Sequence, residues 1–119
     1  SNFDTSHPLY RQIAALADLR KATPALYAGS TVGRAFTDKP GLFAVSRFDP
    51  TTGQEVVLAF NTSNQPVTQR IAVEPRSLTF KPLAGQCALA ADAPGSLTIT
   101  LPAFGYAVCA AQETNVSSK

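Results

Sequence analysis

The spacing of apolar residues changes its period once along this chain. At about 100° per residue, Leu9, Ile13 and Leu16 fall on one stripe, flanked by Tyr10 and Ala17 on one side and Leu19 on the other. This predicts an amphipathic helix from Pro8 to Thr23, with Ser6 suited to the N-cap and Pro8 to the first turn. Pro24 marks its end by disfavouring the helical conformation at Thr23. Arg20 sits inside the apolar stripe, and two readings stay open. Its guanidinium either curls toward the last helical carbonyls while its methylenes pack, or it pairs with a charge on a neighbouring domain. A lone helix of this kind needs a surface to lie on, so residues 1–26 are expected to end a preceding domain.

After Gly29 the period becomes two. Ser30 to Thr37, Leu42 to Phe48, Glu55 to Asn61, Gln69 to Val73, Leu78 to Lys81, Ser96 to Leu101 and Tyr106 to Ala111 read as strands, with turn residues between them. Val56-Val57-Leu58-Ala59-Phe60 is apolar on both faces and is expected to be a central strand. Leu97, Ile99 and Leu101 alternate with Ser96, Thr98 and Thr100, which marks a half-buried strand. Seven or eight short strands at this spacing predict a mainly β fold, an antiparallel β-sandwich of Greek-key type over residues 27–112, preceded by one N-terminal α-helix. Residues 113–119 read as a polar tail.

Composition narrows the function classes. The chain has 119 residues, room for one core but not for a core and a separate catalytic domain. Its net charge of +2 is scattered from Arg11 to Lys119, so no basic face is gathered for phosphates and a nucleic-acid partner is not expected. No apolar run approaches the roughly 18 residues that span a bilayer. Cys87 and Cys109 either close a disulfide loop or stand as two buried thiols. Their spacing fits no zinc or CxxC site, and the only histidine, His7, lies far away, so neither a metal nor a cofactor is expected.

Several motifs resemble a known family. Leu16-Ala17-Asp18-Leu19-Arg20, followed by Pro24-Ala25-Leu26, is similar to the end of the last barrel helix in the α-amylase-like enzymes of glycoside hydrolase family 13. Leu42-Phe43-Ala44-Val45-Ser46-Arg47 and Glu55-Val56-Val57-Leu58-Ala59-Phe60-Asn61-Thr62-Ser63 resemble the paired strands that open that family's C-terminal domain, domain C. Leu101-Pro102-Ala103-Phe104-Gly105 resembles the turn entering its last strand, with Ala103 where the family often has a second proline.

The resemblance implies a non-catalytic domain that packs against and stabilises a catalytic barrel acting on α-glucans. The parent would be a retaining hydrolase or transglycosylase, with an Asp nucleophile and a Glu acid about 5 Å apart at the ends of barrel strands. No such strands occur here, and no catalytic residue is expected in this chain. Its own carboxylates, Glu55 and Glu74 among them, read as solvated surface groups. Leu9, Ile13, Leu16 and Arg20 are then the expected interdomain contact, with self-association through the exposed helix as the alternative when the barrel is missing. A carbohydrate-binding module that holds an enzyme on polysaccharide is the competing function. Trp is absent and most Phe and Tyr positions read as core, which leaves Tyr27 and Phe36 as the aromatics to test for glucan contact. A polysaccharide-degrading parent would be secreted or periplasmic. Asn61-Thr62-Ser63 and Asn115-Val116-Ser117 fit the N-glycosylation pattern, the first being equally well explained as a turn.

Overall fold

The computed structural model describes Asp18 and residues 21–112. Leu9, Ile13, Leu16 and Arg20, the expected interdomain stripe, lie outside the described residues, as does Asn115. Asp18, Lys21 and Ala22 are helical, and Thr23 then takes extended geometry, φ −122° and ψ 106°, as the residue before a proline prefers. Pro24 does more than end a helix. It opens another, α1 (Pro24–Ala28), because its fixed φ suits the first helical position.

Seven strands follow: β1 (Ser30–Ala35), β2 (Leu42–Phe48), β3 (Glu55–Asn61), β4 (Val67–Ala72), β5 (Phe80–Gly85), β6 (Ser96–Leu101) and β7 (Tyr106–Ala111). They form a five-stranded sheet in the order β1-β2-β3-β7-β5 and a two-stranded sheet, β4-β6. Every pairing is antiparallel. The chain crosses between the sheets after each of β3, β4, β5 and β6, so each crossing adds to the closure of one sandwich. β3 is central, as its two apolar faces require.

The main core lies between the sheets. Leu97, Ile99 and Leu101 of β6 and Ile71 of β4 point inward against Val57 and Ala59 of β3 and Ala107, Cys109 and Ala111 of β7. Small side chains on the wide sheet receive large ones from the narrow sheet, which lets the two layers interdigitate. Phe80, 1% exposed, and the partly buried Cys87 and Ala91 fill the region beyond the reach of two strands.

Three strands differ from their expected bounds: β1 ends at Ala35 and not at Thr37, β4 runs Val67–Ala72 and not Gln69–Val73, and β5 runs Phe80–Gly85 and not Leu78–Lys81. Of these, β5 runs on through Pro82 to Gly85, where the sequence pattern stops at Lys81. Proline is tolerated because β5 is a rim strand whose only strand partner among the described residues is β7, and the register shifts between Pro82 and Ala84. In β1 the register shifts between Gly33 and Ala35. This bulge turns Arg34 inward, to the same side as Ala35.

Candidate functional site

The outer faces of the two sheets differ sharply. On the narrow sheet, Thr68 faces Thr100 and Arg70 faces Thr98, an exposed polar row in which the threonine hydroxyls lie 3.3 Å apart. The wide sheet instead presents Phe43, Val45, Val56, Leu58, Phe60, Tyr106, Val108 and Ala110, strand positions that alternate with the core set. One end of this apolar face is covered by α1, whose Ala25 and Leu26 pack on Val56, Val108 and Ala110. The other end is an aromatic row. Phe43 of β2 is paired with Phe60 of β3, and Phe60 with Tyr106 of β7. The Phe60 and Tyr106 rings stack at 5.8 Å, and Phe36 meets Phe43 edge-on at 5.5 Å.

Gly33 makes room for this row, since a Cβ there would lie 2.2 Å from the Phe36 ring. Phe36 is 68% exposed and Tyr27 53%, the two aromatics that the sequence marked as least buried. Phe43 is also exposed and Phe60 only half-buried, whereas the pattern assigned Phe60 to the core. The alternation is correct, but among the described residues no second layer covers the outer side of β3 at this end.

A second arrangement is a buried polar cluster inside the sandwich. Glu55 is 2% exposed, contrary to the expectation of a solvated carboxylate. Its Oε2 accepts from the Ser46 hydroxyl at 2.5 Å and from Arg34 Nη2 at 3.2 Å, while Oε1 accepts from the Glu74 backbone N–H at 3.0 Å. Arg34 also donates to Ser46 at 3.0 Å and to Glu74 at 3.5 Å. Because Glu74 follows β4, the cluster ties β1, β2 and β3 to the chain leaving the opposite sheet. Sequence reasoning missed it because the bulge that aims Arg34 inward leaves no periodic trace.

Two further carboxylates, Asp49 and Asp92, hold a turn and a surface pair. Asp49 accepts from the N–H groups of Thr51 and Thr52 at 2.7 and 2.9 Å, and these bonds, Thr52 first, hold its carboxyl below the ordinary aspartate value. Asp92 accepts from Thr98 at 2.6 Å and lies 3.9 Å from Arg70. Among the described residues, no three of His, Cys, Asp and Glu come together as metal ligands. Cys87 and Cys109 are joined in a disulfide that pins the segment after β5 to β7. Asn61 is fully engaged: its amide donates to Gln65 O at 2.6 Å and Pro102 O at 3.0 Å, and its carbonyl accepts from Ser63. Only 2% exposed, it is a turn-former and not an accessible modification site.

These features define a seven-stranded antiparallel β-sandwich with one polar outer face and one apolar face partly covered by a short helix. No family model matches the chain. It is 44% identical over 102 residues to an alpha-amylase of Streptomyces lividans, a match that takes in 85% of this chain and 11% of the relative. Solved structures that share its fold include two enzymes. One is the alpha-glucosyl transfer enzyme XgtA, with TM-score 0.55 and 24% identity over 87% of this chain and 18% of that one. The other is the alpha-amylase from H. orenii, with TM-score 0.58 and 19% identity over 87% of this chain and 20% of that one. The chain thus corresponds to a small, sandwich-forming part of α-amylase-like enzymes, and the resemblance drawn from its motifs holds in sequence and fold.

Proposed function

We propose that this chain is the non-catalytic C-terminal domain of an α-amylase-like glycoside hydrolase or transglycosylase, and that it stabilises the catalytic barrel by packing against it. The observation that carries this reading is the asymmetry of the outer faces. The polar face of β4-β6 is suited to water, whereas the opposite face carries α1 at one end and keeps Phe36 and Phe43 exposed at the end that α1 leaves uncovered. An exposed aromatic surface on the same sheet face that receives the preceding chain through α1 is suited to an interdomain contact. Burying two phenylalanines there contributes about 1.5–3 kcal/mol each.

The parent's chemistry in this reading is retaining cleavage or transfer of α-glucosidic bonds, with both catalytic carboxylates on the barrel. The disulfide supports a parent that folds in an oxidising, secretory or periplasmic compartment. Deleting residues 27–112 from the full-length enzyme should lower the temperature of half-inactivation by several degrees while leaving α-glucan turnover measurable in the cold. Unchanged heat resistance would refute the stabilising role, and α-glucan hydrolysis by the 119-residue chain alone would refute the non-catalytic assignment. The exposed rings of Tyr27 and Phe36 favour glucan binding as the second reading, and retardation of this chain in a starch affinity gel, lost on replacing either ring, would support it.

A further inference from the structure

Arg47, the penultimate residue of β2, lies on the wide sheet's outer face. Its side chain is turned toward α1. Nε donates to the Ala25 carbonyl at 3.0 Å and Nη2 to the Leu26 carbonyl at 3.3 Å, while Nη1 donates to the Thr31 hydroxyl at 2.7 Å. Five residues make little more than one helical turn, so α1 holds itself together poorly and its last carbonyls need outside donors. The planar guanidinium supplies them from a strand, 21 and 22 residues away in sequence. Burial fastens the same element again, through Ala25 at 1% and Leu26 at 7% exposure. The third point is Gly29. A Cβ there would lie 2.0 Å from Phe48 O and 2.6 Å from Ala25 O, so the backbone linking α1 to β1 lies directly against the end of β2.

We infer that residues 24–30 form a rigid joint, not a flexible linker, and that Arg47 is its fastener. A chain entering at Thr23 would thereby be held at one orientation relative to the sandwich. The step to a neighbouring domain rests on the function proposed above, but the fastening itself is a property of this chain.

Amide hydrogen exchange on the 119-residue chain reads the joint directly through the Leu26 N–H, which donates to Thr23 O at 2.9 Å. Arg47→Ala should speed exchange there by about tenfold or more, as loss of charge-assisted bonds implies, with amides of β3 and β7 unaffected. Arg47→Lys retains charge and stem but loses the fork, so it should show the same local effect with less disturbance of the sheet. It decides the matter if the alanine variant does not fold. Unchanged Leu26 protection in a folded variant would overturn the fastener. In the full-length protein, Arg47→Lys should broaden the distance distribution from small-angle scattering, and an unchanged distribution would overturn the orienting role. Failure of the deletion experiment with the exchange result intact would refute the stabilising function while leaving the joint standing.

Discussion

Glu55→Ala should be the most damaging single change among the polar residues of the sandwich. The substitution removes one carboxylate and strands three donors: the Ser46 hydroxyl, the Arg34 guanidinium and the Glu74 backbone N–H. Arg34 has a side-chain exposure of only 11%, so its charge is left with Glu74, whose side chain is 41% exposed and 3.5 Å away. Breaking one side of a buried pair costs about 3–5 kcal/mol, and the remaining Glu74 contact sets the expectation at the lower end, about 3 kcal/mol. Against a total stability of about 5–15 kcal/mol this is a large fraction. With a urea slope of about 1 kcal/mol/M, the midpoint should fall by about 3 M.

Urea unfolding followed by far-ultraviolet circular dichroism suits a chain without tryptophan. Arg34→Met should cost a comparable amount, because it leaves Glu55 buried without its cation. The double variant Arg34→Met with Glu55→Leu should be markedly more stable than the sum of the single losses, since no charge remains unpaired. A Glu55→Ala midpoint within 1 M of the parent, or strictly additive losses, would refute the view that the cluster acts as one buried unit.

Other outcomes follow from single features. Replacing Cys87 and Cys109 together by alanine should cost about 3 kcal/mol, because the bond closes a loop with a sequence separation of 22 and Cys109 also fills core volume; calorimetry checks this. Asp49 should titrate in the folded chain below 3.8, with the Thr51 and Thr52 amide resonances following the same midpoint in NMR. Because its folded value is the lower one, its contribution to stability is present above 3.8 and fades as pH falls through the folded value. Gly29→Ala should lower the thermal midpoint and accelerate exchange at Leu26, since neither Phe48 O nor Ala25 O is a flexible side-chain end that can give way. Expression in a glycosylating host should leave Asn61 unmodified, as peptide mapping would show.

Much of the sandwich was legible because its strands carry their own signals. β2, β3, β6 and β7 have the bounds that alternation and turn residues predict, and β6 buries Leu97, Ile99 and Leu101 as its pattern requires. The parts that escaped depend on relations invisible to a local window. β5 continues past Lys81 through Pro82 to Gly85 because its rim position tolerates a proline, a relation no local window contains. α1 was hidden because Pro24 signals a stop and a start equally well. Glu55 looked like a solvated strand end because its partners, Arg34 and Glu74, come from other elements. Arg47 was legible as a position in a family-like strand, but its helix partner lies too far along the chain for any periodicity to reveal the contact.

The register shifts in β1 and β5 bear on a different problem, that of crowding. These are the two rims of the wide sheet, and each carries an irregularity: one between Gly33 and Ala35, the other between Pro82 and Ala84. A straight rim would offer a ladder of free N–H and C=O groups on which another polypeptide could continue the sheet. Here the kinked rung at one end and the missing proline donor at the other interrupt that ladder. Many copies of the chain emerging together during synthesis would therefore meet wide-sheet rims that extend the sheet poorly.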